Sequence, residues 1–128
     1  MWKVDLLDRF LLCLCVWREA RGESARGKQM VAQVVLNRVA DARWPNTIRD
    51  VIVQPKQFSA FNATDPNAIL FPHHDQGWQD CVEAVDTVLL SQSPITTANH
   101  YHVEGLLPHW KDDAKLVDQH GHHVFYAL

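Results

Sequence analysis

Trp17-Arg18-Glu19-Ala20-Arg21-Gly22-Glu23 is the stretch on which the reading of this chain turns. It stands where a first apolar segment runs out into a turn. Upstream of it, Leu7, Phe10, Leu11, Leu14 and Trp17 recur at helical spacing and predict a helix over about 4–20. Downstream, Ser24 has the chemistry of an N-cap, a hydroxyl able to accept from a free amide of the following turn. A second helix is expected over about 25–40, with Met30, Val31, Val34, Val35 and Val39 as its buried set. Gln29, Gln33 and Asn37 mark a polar line along it at steps of four. Counted back from Glu19 by three, four and seven residues stand Val16, Cys15 and Leu12, so the acid faces apolar surroundings. Desolvation disfavours a carboxylate and raises its pKa. A carboxylic acid that keeps its proton near neutrality is the group that protonates a leaving oxygen in glycoside cleavage.

Outward from this centre the pattern stays mostly helical. Pro45-Asn46 breaks the chain, and a short helix over 47–53 ends ahead of Pro55. Residues 57–61 suit a short strand, and 62–77 read as a loop with turn signals at Asp65-Pro66-Asn67 and Pro72. A third long helix is expected over about 76–91, with Trp78, Cys81, Val82, Val85, Val88 and Leu89 on its apolar face and Ser93-Pro94 beyond its end. Residues 99–103 alternate like a strand. Lys115–Val117 and His123–Tyr126 flank a turn at His120-Gly121 and read as a hairpin. The expected fold is mainly α, of the α+β class, a single domain over 1–128 with a few short late strands.

Composition narrows the function classes. The chain has 128 residues, 47% apolar and 21% charged, enough for one globular core. The net charge of −3, with no basic run, argues against nucleic acid as a partner. The apolar run from Phe10 to Trp17 is too short to span a membrane, and Asp8-Arg9 directly before it is unlike a secretory leader. Synthesis in the cytoplasm without a signal peptide is expected. Three cysteines, Cys13, Cys15 and Cys81, are an odd number in apolar helical segments and read as reduced packing residues.

Several blocks taken together resemble the bacterial cell-wall hydrolases of the spore-cortex-lytic type. They are Glu19-Ala20-Arg21-Gly22-Glu23-Ser24, Val31 through Val39, Pro45-Asn46-Thr47-Ile48, Gln54-Pro55-Lys56-Gln57-Phe58-Ser59, Ala98-Asn99-His100-Tyr101-His102, Pro108-His109-Trp110 and Gly121-His122-His123-Val124-Phe125-Tyr126. The resemblance runs from about Leu6 to Tyr126. It implies a lysozyme-like domain that cuts the glycan strands of peptidoglycan, with Glu19 as proton donor. It favours the lytic transglycosylase route, in which one acid/base Glu suffices and the sugar's own C6 hydroxyl attacks the anomeric carbon. The family commonly carries Tyr and a small or polar residue before the motif, where this chain has Trp17-Arg18. A compact domain released late, as in a phage or prophage lysis enzyme acting on the wall, is the expected setting, with a monomer acting on peptidoglycan and needing no cofactor.

Beside Glu19, the expected groove residues are Gln57 and Ser59, which share a face if 57–61 is a strand, together with Tyr101 and His102. Glu23 is a candidate supporting carboxylate and Trp110 a candidate platform under a sugar ring. Asp65, Asp75 and Glu104 lie in expected loops, and nothing selects one of them as a second carboxylate. A rival reading uses the histidines: His100 and His102 alternate onto one strand face, and His73, His74, His109, His120, His122 or His123 would complete a zinc site of a wall amidase, with Glu19 as base. A third reading is a glycan-binding module without turnover.

Overall fold

In the computed structural model, which describes residues 4–54, 72, 75–106, 108 and 110–128, each of the four described α-helices opens on a side chain that accepts from its first turn. Helix α1 (Leu6–Ala20) starts at Asp5, whose carboxylate accepts from the Asp8 amide at 2.7 Å. Helix α2 (Ala25–Val39) starts at Ser24, which accepts from Gly27 at 3.1 Å. Thr47 does the same for α3 (Ile48–Ile52) and Asp75 for α4 (Gln76–Leu90). Each such cap satisfies an amide that the helix itself leaves without a carbonyl.

The helices pack on one another around α2, whose Met30, Val31, Ala32, Val34, Val35 and Leu36 are all buried. The expected stripe on α1 needs correction. Leu7 and Phe10 are nearly half exposed, Phe10 resting against Trp78, while Leu12, Cys13, Cys15 and Val16 are buried beside Leu14 and Trp17. Helix α1 packs against α2, α3 and α4, so no single stripe describes what it buries. Arg9 forks onto Asp86 through Nε and Nη2, each at 2.8 Å, tying α1 to α4. No helix among the described residues is long and apolar enough to cross a membrane.

The late strands form one antiparallel sheet in the order β1-β3-β2, from β1 (His100–Val103), β2 (Lys115–His120) and β3 (His123–Ala127). A one-turn 3-10 helix, Lys111–Asp113, precedes β2. The hairpin turn falls at Gly121-His122, one residue later than expected, because Gly121 takes a positive φ of 55°. A bulge between Leu116 and Asp118 shifts the register of β2. The register pairs Tyr101 with Phe125 and His102 with Val124. Directly opposed residues share a face, so Tyr101, Phe125 and His123 lie on one side and His100, His102, Val124 and Tyr126 on the other. Phe125 is fully buried in the core that the helices build, which makes the first side the inner one. This is the lysozyme-like α+β arrangement. The expected strand over 57–61 lies outside the described residues.

Candidate active site

Glu19 occupies the last turn of α1, and the three residues that spacing set around it, Leu12, Cys15 and Val16, have no exposed surface. The helix ends one residue later. The Glu23 amide donates to the Ala20 carbonyl at 2.9 Å, and Arg21 reaches back over the Trp17 ring to donate to the Trp17 and Arg18 carbonyls. A cation on a helix's carbonyl end is favourable. Gly22 does not take a left-handed conformation; the chain turns through Arg21–Glu23 and restarts at Ser24. Glu23 therefore does not stack beside Glu19 on a continued helix.

Strand β1 delivers Tyr101 to Glu19. The Tyr101 hydroxyl donates to the Glu19 carboxylate, and Glu19 Oε1 is shut off from solvent. Burial, and then the Glu19 charge, push the Tyr101 phenol well above its ordinary pKa, so it stays a donor. The Cys15 thiol, one turn before Glu19, is pushed up for the same two reasons. Arg38, a buried cation on α2, acts electrostatically in the opposite direction on both. Burial lowers the pKa of Arg38 itself.

The polar line along α2 explains why β1 sits where it does. Gln33 donates to Asn37 at 3.0 Å and accepts from the Ile95 amide at 3.3 Å. Asn37 donates to the carbonyls of Thr96 and Ala98 at 2.9 and 2.8 Å, and Arg38 Nε to that of Asn99 at 2.7 Å. Three side chains from two consecutive turns of one helix thus satisfy the backbone that leads into β1. Arg38 was absent from the expected site; its place after Asn37 in the polar line was the available signal.

The remaining candidates separate. His102 lies on the outer sheet face, stacked on Tyr126 at 5.3 Å, its Nδ1 donating to the Val103 carbonyl and its Nε2 accepting from the Tyr126 hydroxyl at 3.1 Å. Trp110 joins that outer cluster, 4.8 Å from His100 and 5.2 Å from Tyr126. A concavity of about 650 Å³ opens there, lined by His102, Leu106, Lys111, Leu116, Gln119 and Tyr126. The structure thus brings Tyr101 to Glu19 and sets His102 and Trp110 on the opposite side of β1. Gln57, Ser59 and Asp65 lie outside the described residues. Asp75 caps α4, and Glu104 accepts from Gln119 at 3.3 Å.

Glu23 is engaged elsewhere as well. Its Oε1 accepts from the His122 amide at 2.8 Å and its Oε2 from His122 Nδ1 at 3.0 Å. Burial works to raise its pKa, but the two His122 hydrogen bonds and the nearby His123 outweigh this and hold it below the ordinary value. His100 and His102 do share a face, yet His100 Nδ1 is spent on Asn99 Oδ1 at 2.8 Å and His102 Nδ1 on a carbonyl. Among the described residues, no three His, Cys, Asp or Glu side chains are grouped to hold a metal ion. His73, His74 and His109 lie outside them.

The chain belongs to the cell wall hydrolase family, whose model matches residues 22–126. It is similar to the spore cortex-lytic enzyme of Bacillus cereus, 45% identical over 53 residues that make up 41% of this chain and 20% of that protein. To the spore cortex-lytic enzyme of Oceanobacillus iheyensis it is 29% identical over 119 residues, 92% of this chain and 41% of that one. The chain thus spans less than half the length of these curated relatives. Its fold matches the catalytic domain of the germination-specific lytic transglycosylase SleB from Bacillus anthracis with a TM-score of 0.79 at 28% identity, covering 96% of both chains. The Bacillus cereus SleB catalytic domain matches with a TM-score of 0.75 at 28% identity, over 97% of this chain and 92% of that one.

Proposed function

We propose that this chain cleaves the glycan strands of peptidoglycan as a lytic transglycosylase, with Glu19 as its single general acid and base. The observation that carries the reading is the Glu19–Tyr101 pair: a carboxyl at a helix end, one oxygen buried, held by a phenol from the sheet. It stands in a chain whose fold matches a lytic transglycosylase domain over nearly its whole length.

The chemistry needs one proton carrier. Glu19 gives its proton to the glycosidic oxygen between N-acetylmuramic acid and N-acetylglucosamine as the bond from the anomeric carbon to that oxygen breaks. The N-acetylglucosamine leaves with a free hydroxyl. The muramic acid's own C6 hydroxyl then bonds to the anomeric carbon, and its proton passes to the Glu19 carboxylate, which restores the acid. No water is consumed, and the product ends in a 1,6-anhydro ring. Tyr101 holds the carboxyl in one orientation through both half-steps, and its raised pKa keeps it from competing as the proton source.

The test is mass spectrometry of the soluble products from purified sacculi, with Glu19→Gln as the matched control. Wild type is expected to release muropeptides one water lighter than hydrolysis products. Glu19→Gln, which keeps the shape and removes the acid, is expected to lose several orders of magnitude in rate with an unchanged circular dichroism spectrum. Retention of a tenth of the rate removes Glu19 from the mechanism. Freed stem peptides on intact strands would instead identify an amidase.

A further inference from the structure

Glu23 and the β2–β3 turn are built around each other in a way that the acid/base chemistry of Glu19 does not require. Glu23 sits in the turn between α1 and α2, four residues after Glu19, with a side chain only 7% exposed. Both its oxygens are committed to His122, 99 residues away, one to the backbone amide and one to the ring. A Cβ on Gly121 would lie 2.5 Å from Glu23 Oε1, so the turn approaches the carboxylate as closely as only glycine allows. On the other side of the turn, Lys28 Nζ donates to the Glu23 carbonyl, and a Cβ on Gly27 would come within 3.0 Å of the Glu23 Cβ.

The next residue carries the contact to the site. His123 is buried, with Nδ1 facing Glu23 Oε1 at 3.6 Å. Its ring packs edge-on against Tyr101, with centroids 5.0 Å apart, and Tyr101 is the donor to Glu19. A continuous path of packed and hydrogen-bonded groups therefore runs Glu23, His123, Tyr101, Glu19.

We infer that Glu23 is a positioning residue for the Glu19–Tyr101 pair: its carboxylate fastens the β2–β3 turn to the α1–α2 turn and so fixes the His123 ring that backs Tyr101. It is thus not a second reacting carboxylate. The inference rests on the proposed acid/base role of Glu19. Misplacing a catalytic group by about 1 Å costs on the order of 100-fold in rate.

The test compares wild type, Glu23→Ala, Glu23→Gln and Glu19→Gln on sacculi, at a temperature where circular dichroism shows each variant fully folded. Glu23→Ala is expected to lower kcat by about 10–100-fold with KM within about twofold, and the products to keep their anhydro ends. Glu23→Gln keeps the length and one acceptor for the His122 amide, and is expected to recover part of the loss. Independently of activity, the NMR cross-peaks between the Tyr101 and His123 rings are expected in wild type and Glu23→Gln and to weaken in Glu23→Ala. A fully folded Glu23→Ala with wild-type kcat overturns the inference. So does a Glu23→Gln as inactive as Glu19→Gln with its ring cross-peaks intact, since Glu23 would then be reacting. A wild type that cleaves no glycan overturns the functional reading with it, and that outcome is recognisable because the wild-type control fails.

Discussion

The Tyr101 hydroxyl is a single hydrogen bond on a single carboxyl, and its removal is the narrowest probe of the site. Tyr101→Phe keeps the ring against Phe125 and His123 and takes away only the donor to Glu19. A hydrogen bond to a charged group contributes about 1.5–3 kcal/mol, so kcat on sacculi is expected to fall about 10–100-fold while thermal unfolding shows the fold intact. An unchanged kcat would mean that Glu19 is held by other contacts. The helical spacing around Glu19 was legible before the structure, since Leu12, Cys15 and Val16 are local neighbours set by α-helical geometry. Tyr101 was in the expected groove, but its partnership with Glu19 joins residues 82 positions apart in sequence, which no local period encodes.

At the scale of elements, the Ser24 cap was readable and the sheet faces were not. Ser24 was legible as an N-cap because a hydroxyl before an apolar-periodic run has one dominant local use. His102 and Tyr101, in contrast, were placed together in one groove although neighbours on a strand point to opposite faces, and β1 follows that rule. The β2–β3 turn supplies the prediction at this scale. Gly121→Ala puts a side chain at a positive φ and drives it into the Glu23 carboxylate. We expect a loss of about 1–3 kcal/mol, measured by urea unfolding, together with weaker His122 contacts. A variant as stable as wild type would show that the turn relaxes at little cost.

For the whole molecule, burial of titratable groups makes stability depend on pH. Burial first, and then the charges of Arg38 and Arg43, hold His100 at about 4 against an ordinary 6.5. Burial also lowers His123. Between pH 6.5 and about 4 the unfolded chain binds protons that the native state refuses, so stability falls as the pH drops through that window. Glu23 acts in the same direction: its folded value lies below the ordinary 4.5, so its contribution is present above 4.5 and is lost as pH falls through the folded value. His122, raised by Glu23, works oppositely, stabilising fully below 6.5 and losing that as pH rises through its folded value. It is largely exposed, and the half-buried His100 and buried His123 are expected to dominate. Melting temperatures measured from pH 7 down to 4 should decline, and His100→Gln should flatten part of the slope; a level profile would contradict the assignment. The thiols give a second global probe. Burial pushes Cys13 up to about 12 and Cys81 to about 11, and Cys15 lies well above its ordinary value. A chromogenic disulfide reagent at neutral pH should find no reactive thiol in the native protein and three after unfolding.

By itself the amino-acid order determined the Ser24 cap, the helical periods, the late strands and the apolar surroundings of Glu19, because each depends on neighbours within one or two turns of the chain. Only the tertiary structure decided that α1 is buried on several faces rather than along one stripe, since that depends on how many helices surround it. It alone decided which sheet face meets Glu19, and that Glu23 closes on a turn 99 residues away, because strand register and long-range hydrogen bonds are set by packing against the helices.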